Sequence, residues 1–431
     1  MNISNSYGIE KFQIIFTKRR ISMEIRAKKN PIISKQGVCD PHVHIFNNRA
    51  YLYASHDVID RPVEGDFFMM RDWEIWSSDD LVTWKKESVV SPEDTPMGTS
   101  NICWAVDAAE KNGKYYLYVS NGMIESYVLE SDDPGKGFVE KLGEPILPYK
   151  FTTTCSYDPA VFTDEDGESY ILFGTPVWAG GDSYYIAKLN EDMVSLAEKP
   201  RKIEVDNLAD DKPFLHKHKG TYYLTWASFY ATSDNVYGPY KFRGNIGLTT
   251  DHGSFFEWNE QCYMAFTVDE SVQTCRRATG LAYIHYRENG EMCADMQIRE
   301  YGVGQYNAEW NTIEAEWYTK GHHVEKKENA FNHFDVLMEE GSWVEYPNIY
   351  NLSENPWLFV RGVSEEDVVI EVYEGDTLLG IMTKTKSAVF QSDFAPYNSA
   401  VIQLPLAAGT HSIKLVAKGK LRLDSIRFAK D

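Results

Sequence analysis

Long stretches with the apolar spacing of an amphipathic helix are absent from this chain, and short aromatic runs bounded by Gly, Asn and Asp turns take their place, so β-strands are predicted throughout. Five segments repeat one pattern, a turn followed by an aromatic strand: NNRAYLYAS, NGKYYLYVS, DGESYILFG, HKGTYYLTWAS and WNEQCYMAF. Their equivalent tyrosines, Tyr51, Tyr116, Tyr170, Tyr223 and Tyr263, lie 65, 54, 53 and 40 residues apart. Such intervals suit one four-stranded sheet per repeat with insertions in loops, and five such sheets close into a ring. A sandwich whose strands merely share aromatic composition is the alternative. Beyond about residue 310 short strands of alternating polarity, GSWVEYPNIYNL, VVIEVYEGDTLLGIMTK and GTHSIKLVAKGKLRLDSIRFAK, predict an antiparallel sandwich. The expected class is therefore all-β, a five-bladed β-propeller over residues 30–308 followed by a jelly-roll-like β-sandwich over 311–431. The segment YGVGQYNAEWNT is the junction, and residues 1–29 form an extension that fits no repeat, with Met23 as an alternative start of translation.

Charge narrows the partners. With 64 Asp plus Glu against 43 Lys plus Arg the formal net charge is −21, a field that repels phosphate backbones and anionic membranes but not neutral ligands. Nucleic acid and membrane are not expected as partners. The N-terminus lacks the apolar core of a secretory signal, and six singly spaced cysteines suggest reduced thiols, which together point to the cytoplasm.

In a propeller the innermost strand of each blade lines the central channel, so residues opening those strands converge. Upstream of the five tyrosines, by 11, 9, 12, 12 and 11 residues, stand Asp40, Asp107, Asp158, Asp211 and His252. Proline follows three of the acids, in Asp40-Pro41, Asp158-Pro159 and Asp211-Lys212-Pro213, where it fixes the backbone of the strand entrance. Crowded carboxyls titrate apart, one staying protonated while another acts as a base, which is the division of labour glycosidic cleavage requires.

At these residues the chain resembles glycoside hydrolase family 43, over roughly residues 30–305 and through CDPHVHIFNNRAYLYASHD, CWAVDAAEKNGKYYLYVS, YDPAVFTDEDG, DKPFLHKHKGTYYLTW and DHGSFFEW. The resemblance implies an inverting hydrolase of plant-polysaccharide oligosaccharides, of arabinofuranosidase or β-xylosidase type, that needs no cofactor for catalysis. It makes Asp40 the general base and Asp158 the residue that tunes its neighbour's pKa. The proton donor falls on Asp211, where the family has Glu-Gly-Pro or Glu-Ala-Pro. Asp210 is set aside because adjacent strand residues face opposite ways. His252 matches the family's channel histidine, which helps hold a central water or cation. Arg276 is preferred to Arg277 as the substrate arginine, with a surface ion pair as the bland alternative. Trp104 and Asp107 complete the expected substrate wall. The shortened donor also leaves open a carbohydrate-binding propeller without catalysis, and a protein-interaction platform is a third reading.

The C-terminal segment resembles carbohydrate-binding module family 6. That resemblance implies a structural calcium near Glu314, Glu316 and Asp424, and it places Phe390 and Phe394 where a sugar-stacking tryptophan is usual.

Overall fold

The computed structural model describes residues 23–58, 68–176, 180–206, 210–271, 276–329, 333–388 and 397–430. Residues 1–22, Cys275, Phe390 and Phe394 lie outside these. Five antiparallel sheets follow one another along the chain, each a meander whose first strand is innermost. Those first strands are Val38–Phe46, Cys103–Lys111, Ala160–Thr163, Phe214–His218 and Gly253–Trp258. Each touches the next, and the fifth touches the first, so the ring closes into a propeller.

Tight turns after the first strands fit the residues they contain. Asn47 and Asn48 both adopt positive φ (51° and 57°), as do Asn112 and Gly113 (54° and 76°). Two successive left-handed residues make the hairpin turn that matches strand twist, and Asn and Gly tolerate that region best. The five repeat tyrosines all sit on second strands. Tyr51 pairs with His44, Tyr116 with Ala109, Tyr170 with Phe162, Tyr223 with His216 and Tyr263 with Phe256.

The first blade departs from the predicted pattern. Glu24–Arg26 pairs antiparallel with Thr83–Val90 as a fifth, outermost strand, so part of the stretch assigned to an extension belongs to the propeller. Trp73, Trp76 and Trp84 are fully buried in this blade, and aromatic side chains of this size, burying roughly 150–250 Å2 each, dominate the energetics of a core.

The sandwich consists of two six-stranded sheets, and the junction supplies one strand, Tyr306–Asn307, parallel to Trp343–Leu352. It is joined to the fifth blade by a continuous apolar core that includes Tyr263, Tyr283, Trp317 and Tyr346. Buried polar contacts fix the junction: Gln261 Nε2 donates to the carbonyls of Glu316 (2.8 Å) and Tyr318 (2.7 Å), and the Tyr283 and Tyr306 hydroxyls meet at 2.7 Å. Among the described residues no helix is long and apolar enough to cross a membrane.

Candidate active site

The N-terminal ends of the first strands open on a cavity of about 280 Å3 lined by Asp40, Trp104, Asp158, Asp210, Asp211, Lys212, Asp251, His252 and Arg277. Asp40, Asp158 and Asp211 thus come from three blades to one place. The strand register explains which residues reach it. Four positions before the residue paired with each repeat tyrosine stand Asp40, Ala105, Asp158, Lys212 and His252, and all five line the cavity. Asp40, Asp158 and Lys212, the three that precede proline, hold positive φ of 48°, 51° and 67°. A residue before proline ordinarily prefers extended backbone, so this strained conformation at three strand entrances is held by its surroundings. It turns the side chains into the channel mouth.

Asp107 is displaced by the same register. Its shorter offset from the tyrosine puts it two residues further along the strand than Ala105, below the cavity. There it is fully buried, with His42 Nδ1 2.8 Å away, and accepts from His44 Nε2 at 2.6 Å and from the backbone N–H groups of Ala108 (2.8 Å) and Val161 (2.6 Å). These partners outweigh desolvation and hold its carboxyl well below the usual range. Asp107 therefore pins blades together and does not line the cavity. Above it, His42 Nε2 meets His252 Nε2 at 3.1 Å, and burial keeps His252 far below the usual histidine value.

The arginine of the site is Arg277, not Arg276. Adjacent residues on Arg276–Tyr286 face opposite sides of the blade, and the inward one is Arg277. It donates to Asp40 Oδ1 at 2.7 Å and Oδ2 at 3.1 Å, and to Asp57 Oδ1 at 3.0 Å, with all three side chains buried. Arg276 instead pairs with Glu270 at 3.3 Å. Trp104 lines the cavity, as expected, with its ring centroid 6.1 Å from that of Tyr157.

Around the acids of the fourth blade the charges are unequal. Asp211 accepts the Tyr157 hydroxyl at 2.8 Å on Oδ2, and Lys212 Nζ stands 2.5 Å from Oδ1. Against the opposing pull of burial, Lys212 and these hydrogen bonds hold Asp211 below its usual value. Burial and the neighbouring Asp211 push Asp158 well above its own. Asp210, half-buried, rises to about 6, mainly through desolvation. Residues 210–212 precede the strand that begins at Phe214, so strand alternation does not separate Asp210 from Asp211, and both reach the cavity. Sequence reasoning set Asp210 aside and passed over Lys212 and Asp251; the run DDKP was the available signal for the first two, and the neighbouring His252 for the third.

The expected calcium ligands do not assemble. Asp424 is occupied by the Arg361 guanidinium and the Ser425 hydroxyl, and Glu314 accepts Thr312 Oγ1 at 2.9 Å. Glu316 has one buried carboxylate oxygen with no partner, but the donors that converge with it are His285 and Asp295. An arginine already neutralises the third carboxylate, so these three residues do not fit a shared hard cation.

Residues 28–292 match the family model of glycosyl hydrolases family 43. The chain is 28% identical over 331 residues to a xylosidase/arabinosidase of Bacteroides ovatus, covering 62% of this chain and 98% of the relative. It is 28% identical over 315 residues to a beta-xylosidase of Xylanibacter ruminicola, covering 59% and 95%. Among solved structures, a beta-xylosidase/alpha-arabinofuranosidase from a compost microbial metagenome, crystallised with xylotriose in a calcium-free form, aligns with a TM-score of 0.54 at 28% identity, over 63% of this chain and 98% of that one. An arabinoxylan arabinofuranohydrolase from Bacillus subtilis, at 19% identity and a TM-score of 0.55, shares the fold over 93% of this chain and 97% of its own.

Proposed function

The chain belongs to glycosyl hydrolases family 43 and is a glycosidase, and from that premise we propose that it removes terminal arabinofuranosyl or xylosyl units from xylan-derived oligosaccharides with inversion. The observation that carries the proposal is the convergence of Asp40, Asp158, Asp210 and Asp211 on one cavity beside Trp104. The cavity, at about 280 Å3, lies just below the usual range of ligand pockets, roughly 300–1,000 Å3, and so suits a chain end better than the interior of a polymer. The relatives named as xylosidases and arabinosidases support the choice of sugars.

In this reading Asp40 activates the water. Arg277 grips both of its oxygens, fixing the carboxylate as an acceptor and leaving its rotamer little freedom. Asp158 stays protonated and lowers the charge beside the leaving group. Asp211 delivers the proton to the glycosidic oxygen, by motif position. A second reading moves that proton to Asp210, because Lys212 and Tyr157 favour the ionised form of Asp211 while Asp210 titrates at about 6. A general acid works best with a pKa near the operating pH.

Asp40→Asn, Asp210→Asn and Asp211→Asn, assayed on nitrophenyl arabinofuranoside and xyloside and on xylobiose, test both readings. Asp40→Asn is expected to lose every substrate. The variant lacking the donor is expected to lose xylobiose far more than an aryl glycoside, whose leaving group departs without a proton. Equal turnover by Asp40→Asn and the parent overturns the mechanism.

A further inference from the structure

The channel has a second mouth, where the C-terminal ends of the first strands surround a cavity of about 500 Å3. The catalytic acids do not reach it. We infer that this rear mouth carries a transition-metal site, of zinc or cobalt type, built from His218, Glu257 and Cys262 and bridging the fourth and fifth blades.

The three donors converge through the fold. Glu257 and Cys262 face each other directly across the first hairpin of the fifth blade, and His218 ends the first strand of the fourth. His218 Nδ1 lies 2.9 Å from Glu257 Oε1, and Cys262 Sγ donates to the same oxygen at 3.5 Å. One ligand atom from each lies within 4.8 Å of the others. Zinc bonds of about 2.0 Å to N and O and about 2.3 Å to S place tetrahedral ligand atoms roughly 3.3–3.6 Å apart, so an ion enters with small side-chain shifts. It would displace the thiol proton that Cys262 now directs at Glu257.

Three further observations favour a bound ion. The Tyr286 ring stacks on His218 with centroids 3.8 Å apart and planes 7° from parallel, fixing the imidazole plane as an outer-shell group does. His216, two residues earlier on the same strand and so on the same side, has a buried Nδ1 with no hydrogen-bond partner, while its Nε2 meets the Tyr286 hydroxyl at 2.8 Å. Among the described residues no Lys or Arg forms an ion pair with any of the three donors, whereas two other His-and-carboxylate groups already hold a side-chain cation. Lys86 pairs with Glu74 beside His56 and Asp72, and Lys326 meets His285 Nδ1 at 3.1 Å.

Donor chemistry selects the metal. A thiolate with an imidazole and one carboxylate suits zinc, cobalt or nickel, and not calcium or magnesium, which take oxygen donors. Three protein ligands leave one position open to the cavity. Binding deprotonates Cys262, whose thiol burial holds at about 12 in the metal-free form, so one proton leaves for each ion bound.

The test uses the full chain after dialysis against a chelator. Titration with Co2+ is expected to produce a thiolate-to-cobalt charge-transfer band that saturates at one equivalent and is displaced by Zn2+. The band disappears in Cys262→Ser and His218→Ala and persists in Cys293→Ser. Turnover of a nitrophenyl glycoside by the same variants stays within twofold of the parent, because the site opens away from the acids, which separates this outcome from any failure of the proposed hydrolytic roles. Should Cys262→Ser fold poorly, Glu257→Gln provides the second variant. No band at one equivalent, or a band that survives both Cys262→Ser and His218→Ala, overturns the inference.

Discussion

Replacing Arg277 with Met separates the two arginines that the sequence leaves side by side. Arg277 is 4% exposed and bridges Asp40 and Asp57, which are 4% and 3% exposed. Its guanidinium supplies donors at 2.7 and 3.1 Å to the first and at 3.0 and 3.2 Å to the second. Met keeps much of the volume and removes all four, leaving two buried carboxylates with no counter-charge. Breaking a buried ion pair in this way costs about 3–5 kcal/mol. The Arg277 backbone N–H, which reaches Asp57 at 2.9 Å, survives the change and favours the lower part of that range. At roughly 2–4 °C per kcal/mol for a large domain, the midpoint of thermal unfolding falls on the order of 10 °C. Turnover falls further than stability explains, since a displacement of Asp40 by about 1 Å is worth roughly a hundredfold in rate. Arg276→Met serves as the control. Its pair with Glu270 stands at 3.3 Å with the Arg276 side chain 25% exposed, and such pairs contribute about 0–1 kcal/mol. Differential scanning calorimetry with kcat/KM on a nitrophenyl glycoside reads both effects. If Arg276→Met costs as much as Arg277→Met, or Arg277→Met melts with the parent, the reasoning fails.

Other outcomes follow from the charges described. Lys212→Met removes the ammonium that favours ionised carboxylates at Asp210 and Asp211; the donor then keeps its proton to higher pH, and the alkaline limb of the kcat/KM profile moves up by about one unit or more, a shift worth about 1.4 kcal/mol. A limb that stays in place removes Lys212 from the mechanism. Asp107→Asn leaves His42 and His44 without their carboxylate and is expected to cost about 3–5 kcal/mol in urea unfolding while KM holds steady; a large rise in KM with unchanged stability would return Asp107 to the substrate wall. His285 is buried and held down to about 4, mainly by desolvation, so the unfolded chain takes up that proton first as pH falls. Its contribution is complete above the unfolded value near 6.5 and is lost between there and about 4, amounting to at most roughly 3–4 kcal/mol. Unfolding free energies of the parent and His285→Gln over that window check this, the variant showing the shallower decline.

The repeat was readable without coordinates because it is local. A turn, an aromatic strand and an acid upstream recur within a dozen residues, and closing such meanders into a ring is the economical way to bury their aromatic faces. The proline after Asp40 and Asp158 marked the strand entrances correctly, and the cavity lies where those entrances meet. Asp107 shows the limit of that logic: an offset differing by two residues keeps a side chain on the same face yet moves it one step down the channel, from a sugar wall to a buried clamp. The choice between Arg276 and Arg277 likewise depends on which of two neighbours points inward, which strand register decides and composition does not record.

What the amino-acid sequence determined by itself was the all-β class, the fivefold repeat and the convergence of acids, since strand period, turn residues and the X-Pro entrances are properties of neighbours along the chain. The tertiary structure alone decided the depth of each acid, the pairing of Arg277 with Asp40, the reach of the Tyr157 hydroxyl to Asp211 and the meeting of His218 with Glu257. Those facts depend on how separate blades are registered around a common axis, and on the desolvation and charge each group meets there. Both arise between residues scores or hundreds of positions apart.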